Sequence, residues 1–235
     1  MKRWSLRTTL QTAALASLVA IAACAPKATP PKVATPAPAP VVIPPRPTPP
    51  NGAAPNFVLP PLGADGLRVS VNRNISPAQA IWNLRSAYNV AALNCPAADY
   101  PTILPGYREF LRVHARGLTA ANTKVDAEFR ARHGARFIPH REKYMTEVYN
   151  HFAFPPTIRD FCDAVSAVAR DAKPVKPAEL EAFSQRSLPN VEVVFDDFFR
   201  RYDSYLAELG AWNAKYGGLV AVAVPPVPAG APAQP

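Results

Sequence analysis

Prolines decide which parts of this 235-residue chain can fold. Of its 29 prolines, 14 lie between residues 25 and 63, and five more lie after residue 217. Because a proline lacks a backbone N–H and cannot continue a helix, we expect an unstructured linker over residues 24–63 and an unstructured tail over residues 217–235. The roughly 153 residues between them, 64–216, are enough for one ordinary domain.

The first 23 residues have the pattern of an export signal. Three basic residues, Lys2, Arg3 and Arg7, precede an apolar stretch from residue 10 to residue 23. This stretch is shorter than the roughly 20 apolar residues that a membrane-spanning helix needs. We therefore interpret residues 1–23 as a signal peptide.

The apolar stretch ends in Ile21, Ala22, Ala23 and Cys24. This sequence resembles the lipobox of bacterial lipoproteins, in which the cysteine is acylated and becomes the new N-terminus. Ile21 stands where leucine is commonest. The residue after the cysteine is Ala25 and not aspartate. This resembles the pattern that directs lipoproteins of Gram-negative bacteria to the outer membrane. The resemblance stops at Cys24, and it implies a protein that is lipid-anchored in the cell envelope and faces the periplasm.

Conventional signal-peptide cleavage is the alternative to lipidation. Ala20 and Ala22 satisfy the small-x-small rule around Ile21, and cleavage there would release a free domain. The position of Cys24 favours lipidation over conventional cleavage, because Cys24 ends the apolar stretch and the proline-rich linker follows it. Extended at about 3.1 Å per residue, the linker would reach roughly 120 Å. It would act as a spacer, as a ligand for a polyproline-binding partner, or as a solubilising tether.

The net charge of +9 does not indicate a nucleic-acid-binding protein. Six of the 26 basic residues fall in the signal peptide and the linker, so 20 basic residues face 17 acidic ones in the domain. The domain therefore carries a charge of only +3. We predict no nucleic-acid partner.

The domain is predicted to be all-α, a single bundle of about five to six helices. Ser76, Pro77 and Gln79 form a strong helix start, with Ser76 as N-cap and Gln79 closing a capping box. Residues 67–72 alternate like a strand, but one strand without a partner makes no sheet. Apolar residues that recur every three or four positions indicate where the helices lie. The predicted helices cover residues 77–95, 106–132, 140–152, 157–171, 178–187 and 190–216.

Two cysteines remain in the domain once Cys24 is assigned to the lipid. Cys95 and Cys162 form an even pair in an exported protein, where thiols are oxidised, so we predict a disulfide between them. It would join the end of the first helix to the start of the fourth. A catalytic thiol is less well supported, because Cys162 has a core spacing beside Phe161.

Histidines are the next candidates for chemistry, and they predict no metal site. His140, Tyr144, Glu147 and His151 share one face of a predicted helix. The two histidines lie about 16 Å apart along this helix, so they cannot bind one ion together. We interpret them as polar surface residues with a local contact between Glu147 and His151. His114 instead occupies a core position, where a histidine is usually hydrogen-bonded.

Sequence motifs of common enzymes are absent. The chain has no Gly-x-Ser-x-Gly, His-Glu-x-x-His, Cys-x-x-Cys or phosphate-binding glycine loop. Asp196 and Asp197 are adjacent and point about 100° apart on a helix, which disfavours a carboxylate dyad. We assign no catalytic residue and no cofactor, and an interaction domain is favoured over an enzyme.

A basic stripe is the main candidate for binding. Arg108, Arg112 and Arg116 recur every four residues along the predicted second helix, relieved mainly by Glu109. Like charges at this spacing repel each other and cost roughly a few tenths of a kcal/mol per pair. The stripe would bind lipid phosphates, peptidoglycan carboxylates or an acidic protein face. The alternative is that carboxylates on neighbouring helices neutralise it.

These features predict a lipid-anchored envelope protein with a helical interaction or structural domain in the periplasm. The alternative function is a periplasmic enzyme or small-ligand binder with a pocket between helices near His114. A closed core with exposed arginines favours the first function. A polar cavity that gathers His114 with carboxylates favours the second.

Overall fold

The structure is a computed structural model and describes residues 42–223. Six α-helices make up most of this part of the chain. No β-strand occurs in this part, and Leu62 and Arg68 form an isolated antiparallel bridge. The all-α prediction is confirmed. The signal peptide, Cys24 and the tail after residue 223 lie outside the described residues. The helices are α1 (Pro77–Asn94), α2 (Ile103–Val113), α3 (Ala115–His133), α4 (Phe137–Phe152), α5 (Ile158–Asp171) and α6 (Leu180–Ala223).

Helix α1 is the centre of the bundle, and it packs against each of the other five helices. It begins with the predicted capping box: the Gln79 backbone N–H donates to Ser76 Oγ at 3.1 Å, and the Ser76 N–H donates to Gln79 Oε1 at 3.0 Å. Leu84, Ala87 and Ala91 on this helix are fully buried. Because α1 is covered on several sides, it fixes where the other helices lie.

The predicted disulfide between Cys95 and Cys162 is present. Cys95 follows the last residue of α1 and donates its backbone N–H to the carbonyl of Ala91, while Cys162 lies in α5. The bond therefore ties the end of the central helix directly to α5.

Two helices begin earlier than the sequence predicts. Helix α2 begins at Ile103 rather than at residue 106, and α4 begins at Phe137 rather than at residue 140. Pro105 and Pro139 are the third residues of these helices. A proline is tolerated in the first turn because the N–H groups there have no partner within the helix. The two prolines lie inside their helices rather than marking the boundary before them.

The predicted helix over residues 106–132 is two helices in the structure. His114 lies between them with φ −101° and ψ 14°, outside the helical region. Helix α2 packs against α5, whereas α3 packs against α4. The break at His114 lets the two segments reach different neighbours.

The last two predicted helices form one helix of 44 residues, α6. Pro189 lies inside it, and a proline there costs roughly 3 kcal/mol. Burial of Leu188 and Val191 on either side of the proline offsets this cost. The helix continues to Ala223, past the tail start predicted at residue 217, because glycines at 217 and 218 weaken a helix without removing a backbone N–H. Even so, no helix within residues 42–223 combines the length and apolar character that a bilayer crossing requires.

The second half of the predicted linker packs against the bundle. Ala53 is buried, and the ring of Phe57 lies 5.1 Å from that of Phe154. The hydroxyl of Tyr202 on α6 accepts from the Phe57 backbone N–H and donates to the Ala54 carbonyl. The expectation of an unstructured chain up to residue 63 therefore does not hold here, because this stretch supplies its own apolar and hydrogen-bonding contacts.

Candidate functional site

His114, at the break between α2 and α3, is 2% exposed. Its ring packs against Phe110, with 4.8 Å between the ring centroids. Its Nδ1 atom is buried and has no hydrogen-bond partner among the described residues, which costs about 1–3 kcal/mol for an ordinary polar group. Burial lowers the pKa of His114, so the neutral imidazole is favoured. The sequence correctly predicts a core position, but the expected hydrogen bond at Nδ1 is missing.

A cavity of about 370 Å³ opens beside His114, between α2 and the C-terminal end of α5. We call it the His114 cavity. The other polar side chains in its wall are those of Thr102, Glu109 and Lys173. Glu109 is bound by Arg112, whose Nε and Nη2 donate to the two carboxylate oxygens at 2.9 and 2.5 Å, and this hydrogen bonding lowers the pKa of Glu109. The rest of the wall is mostly apolar and includes Pro101, Pro105, Phe110, Val113, Ala169 and Ala172.

Gly106 sets the position of α2 in this wall. A Cβ atom at residue 106 would lie 2.2 Å from the hydroxyl oxygen of Tyr88 on α1. Tyr88 is itself almost fully buried, and this burial raises the pKa of its hydroxyl. The absence of a side chain at Gly106 therefore allows the close contact between α1 and α2 from which the His114 cavity is built.

The three arginines of the predicted stripe lie on two helices. Arg108 and Arg112 are on α2 and Arg116 is on α3, and all three are exposed. Arg112 pairs with Glu109 on its own helix, whereas Arg108 and Arg116 form no ion pair with any residue in the described part of the chain. We call these three residues the arginine face.

The predicted contact between Glu147 and His151 is absent. Glu147 instead forms an ion pair with Lys143, one turn earlier on α4. His151 Nε2 lies 2.8 Å from Oε1 of Glu192 on α6. His140 is exposed, as the sequence predicts, but the side chain of His151 is only 14% exposed.

Glu192 is a buried carboxylate that the sequence analysis missed. It is 3% exposed, and it accepts hydrogen bonds from Ser70 Oγ at 2.7 Å and from Asn72 Nδ2 at 2.6 Å. His151 Nε2 makes the third contact. Burial raises the pKa of Glu192, but hydrogen bonds from His151, Ser70 and Asn72 outweigh it, so the pKa is lowered overall. The carboxylate is therefore ionised at neutral pH, and His151 Nε2 is the donor.

The hydrogen bonds around Glu192 continue into the bundle. Asn83 on α1 donates to Asn72 Oδ1 at 2.8 Å, and the hydroxyl of Tyr144 donates to Asn83 Oδ1 at 2.9 Å. Burial raises the pKa of Tyr144 to about 12, so this hydroxyl keeps its proton. The network thus links α1, α4 and α6 with the segment that precedes α1.

This network does not form a hydrolytic triad. In such a triad the histidine lies between the serine and the carboxylate and accepts the serine proton. Here the carboxylate of Glu192 lies between Ser70 and His151, so the imidazole does not contact the hydroxyl of Ser70 and cannot take its proton. Among residues 42–223, no three His, Cys, Asp or Glu side chains are grouped as a metal site would need. These hydrogen bonds therefore form a structural network, and the network also holds the imidazole ring of His151 in one orientation.

His151 also lines an open groove of about 530 Å³. Its ring packs against Phe195 in a tilted arrangement, with 3.9 Å between the centroids. Because Nε2 is held by Glu192, Nδ1 is the ring nitrogen that is left for other contacts, and it has no partner among the described residues. The groove thus combines a fixed imidazole with an apolar wall that contains Phe57, Phe154, Phe195 and Phe199.

Comparisons with protein-family models, with curated protein sequences and with solved structures find no match to this chain. The roles of the residues described above are therefore inferred from their contacts, burial and charge.

Proposed function

We propose that this chain is a lipid-anchored protein of the bacterial cell envelope whose helical domain binds an anionic partner through the arginine face. The lipobox resemblance at Cys24 supports the anchor, and Ala25 supports the outer membrane, with the domain in the periplasm. The partner is an envelope protein with an acidic surface or an anionic envelope polymer. The disulfide between Cys95 and Cys162 fits this location, because such bonds persist in oxidising compartments.

One observation supports the arginine face as a binding surface. If the three arginines were neutralised within the fold, carboxylates on neighbouring helices would contact them. Among the described residues no such contact exists: the single partner, Glu109, lies on the same helix as Arg112 and binds only that arginine. Arg108 and Arg116 keep their charge exposed to solvent. The fold thus exposes two positive charges that no described carboxylate neutralises.

Replacing Arg108, Arg112 and Arg116 together with glutamine is expected to weaken association with envelope material by about tenfold. Exposed ion pairs contribute roughly 0.2–1 kcal/mol each, and three of them give an effect of this size. The association of the original protein should also weaken with added salt, because exposed charges are screened beyond about 8 Å at physiological ionic strength. Cosedimentation with isolated cell wall and membranes, in protein carrying Cys24→Ser to remove the lipid, measures both effects.

A matched control changes the same amount of charge elsewhere. Arg136, Arg159 and Arg186 are exposed and form no ion pair among the described residues. Their joint replacement with glutamine should leave cosedimentation close to that of the original protein. Cosedimentation that is independent of salt and unchanged by the first triple substitution would contradict the proposed surface.

Cys24→Ser should release the protein from membranes, because it removes the acylation site. A single acyl chain binds membranes only reversibly, whereas the two or three chains of a lipoprotein hold it permanently. Fractionation of cells that express the variant checks this result. The double variant Cys95→Ala and Cys162→Ala is the control, since it loses the disulfide but keeps Cys24 and should stay with the membranes. Normal membrane retention of exported Cys24→Ser protein would refute lipid anchoring.

A second candidate function is the binding of a small molecule in the His114 cavity. The observation that favours it is a mostly apolar cavity of about 370 Å³ with His114 in its wall. The cavity contains a single carboxylate, that of Glu109, and Arg112 already binds both of its oxygens. Binding is therefore favoured over catalysis here, because no second acid or base contacts His114.

A further inference from the structure

We infer that the end of α6 from Trp212 to Leu219, which we call the α6 end, docks on the surface of a lipid bilayer. One face of this helix end contacts the interface between headgroups and acyl chains. The inference rests on the proposed function, because a lipid at Cys24 is what holds the domain near a membrane. It adds a second contact with that membrane, and it is independent of binding by the arginine face.

The α6 end carries an apolar face that the bundle leaves partly exposed. Among the described side chains of α6, Tyr205 is the last buried one. Trp212, Tyr216 and Leu219 follow at spacings of four and three, so they lie on one side of the helix. Leu219 is 45% exposed, and Trp212 and Tyr216 are half-buried, with 5.9 Å between their ring centroids. The apolar side of α6 thus continues past the part of the helix that the bundle covers.

Packing inside the bundle does not account for a helix in this stretch. Helices in water owe most of their stability to the burial of an apolar face. Gly210, Gly217 and Gly218 also lie in this part of α6, and glycine is among the least favourable residues in a helix interior. A surface outside the bundle that covers the apolar face would therefore stabilise the last turns of α6.

The residue types at the α6 end are those found at membrane interfaces. Tryptophan and tyrosine are enriched there, because each combines an apolar ring with a polar N–H or O–H group. Lys215 is exposed beside the face, with its Nζ atom 5.1 Å from the centroid of the Tyr216 ring, and such a side chain extends from an apolar surface towards headgroup phosphates. Glu208 is the last acidic residue of the 235, so no carboxylate after Trp212 would repel those phosphates. This combination favours a lipid surface.

The linker from Cys24 joins the domain at the same place. Trp212 donates its indole N–H to the carbonyl of Pro44 at 2.9 Å, and 19 residues lie between Cys24 and Pro44. Leu219 follows Trp212 by seven residues, which is about 10 Å along a helix. The apolar face therefore begins where the linker meets the domain, well within the span of about 65 Å that 19 extended residues reach. A lipid at Cys24 thus holds the α6 end close to the bilayer.

The membrane contact supplements the lipid anchor and does not replace it. Two half-buried rings and one leucine offer less apolar surface than an acyl chain, and even a single acyl chain binds membranes only reversibly. Release of the protein by Cys24→Ser is therefore still expected. In the anchored protein, the domain exchanges between a docked and an undocked position.

The test attaches the chain from residue 24 to residue 235 to vesicles through Cys24. With Cys95 and Cys162 in a disulfide, Cys24 is the only free thiol of the three cysteines. It is coupled to a maleimide-headgroup lipid in vesicles of phosphatidylethanolamine and phosphatidylglycerol. This synthetic tether replaces the natural acyl chains, so the measurement does not depend on whether cells acylate the protein.

Tryptophan fluorescence reports whether the α6 end enters the lipid. This chain contains only Trp82 and Trp212, so Trp82→Phe leaves Trp212 as the single reporter. Interfacial helices insert their apolar face about 5–10 Å, and vesicles with brominated acyl chains should therefore reduce the Trp212 emission by about half relative to unbrominated vesicles. The converse variant, Trp212→Phe, retains Trp82 on α1 and should show no such quenching.

Two leucines of similar exposure provide the matched substitutions. Leu219→Gln removes apolar surface from the α6 end, and glutamine forms helices almost as well as leucine does, so the helix is kept. It should reduce the quenching about threefold, because less apolar surface is buried on docking. Leu206 is 42% exposed but lies about 140° around the helix from Leu219, so Leu206→Gln should leave the quenching unchanged.

The possible outcomes separate this inference from the proposed function. Absence of Trp212 quenching in the tethered protein, or equal losses in Leu219→Gln and Leu206→Gln, would overturn the membrane contact. A blue shift of Trp212 emission that grows with the surface density of protein, without quenching by bromine, would also overturn it, because a second copy would then cover the face. Failure of the natural anchor would appear instead as membrane retention of Cys24→Ser in cells, and it would leave the quenching in tethered vesicles unaffected.

Discussion

Replacing Cys95 and Cys162 with alanine is expected to lower the free energy of unfolding by about 4 kcal/mol. The disulfide closes a loop with a sequence separation of 67 residues, and the chain-entropy model gives a loss of this size when such a loop is opened in the unfolded state. Total stabilities of domains are about 5–15 kcal/mol, so this loss is a large fraction of the total. Urea unfolding of the two proteins, followed by circular dichroism, measures the difference.

Reduction provides the internal control for this prediction. Dithiothreitol should shift the urea midpoint of the original protein towards that of the alanine variant and should leave the variant unchanged. The intact oxidised protein should also be two hydrogens lighter than its reduced form by mass spectrometry. Two free thiols in protein isolated from the periplasm, or equal urea midpoints for both proteins, would contradict the expected role of the bond.

Replacing Glu192 with glutamine is expected to destabilise the domain by about 3 kcal/mol at neutral pH. Glutamine has almost the same shape, but its amide NH₂ group would face one or more of the donors on Ser70, Asn72 and His151. Hydrogen bonds to a charged group contribute roughly 1.5–3 kcal/mol each, and a buried donor left unpaired adds to the loss. Urea unfolding at pH 7 measures the effect.

The pH dependence of this difference gives a second measurement. The pKa of Glu192 is lowered in the folded state, so the folded protein holds the proton less tightly than the unfolded chain does. The stabilisation is therefore complete above the unfolded pKa of about 4.5 and is lost as the pH falls through the lower folded value. The gap between the original protein and Glu192→Gln should narrow from pH 5 to pH 3.

Glu147→Gln is the matched control for Glu192→Gln. Glu147 is an exposed carboxylate that pairs with Lys143, and exposed pairs of this kind contribute at most about 1 kcal/mol. Its replacement should have a small effect at every pH. A difference between the original protein and Glu192→Gln that stays constant from pH 7 to pH 3 would show that the charge of Glu192 is not the cause.

Local sequence signals predicted the helices well and their boundaries less well. Spacing of apolar residues identifies the helical stretches, and the capping box at Ser76 places the start of α1 within one residue. Three of the errors lie at Pro105, Pro139 and Pro189, where the sequence cannot distinguish a helix boundary from a tolerated proline. That choice depends on the burial of neighbouring residues, which exists only after the bundle has formed.

The candidate sites show the same division between local and long-range information. The exposed positions of Arg108, Arg112 and Arg116, although on two helices rather than one, and the core position of His114 follow from helical periodicity. The hydrogen bonds of Glu192 do not, because its donors lie 120 residues or more before it, as in Asn72, or on another helix, as in His151. One local signal did exist: Leu188, Glu192, Phe195 and Phe199 have spacings of four, three and four, which places a carboxylate in an apolar stripe. The partner of that carboxylate was not predictable from spacing.

The docked stretch before α1 changes how far the domain can travel from a lipid at Cys24. Trp212 on α6 donates its indole N–H to the carbonyl of Pro44, so 19 residues, and not 39, lie between Cys24 and the first of these contacts. Fully extended, 19 residues span about 65 Å. Halving the contour length reduces the volume within maximum reach about eightfold, because volume scales with the cube of the radius. The effective concentration towards a partner well within that reach rises about threefold, because it falls roughly as the −3/2 power of linker length.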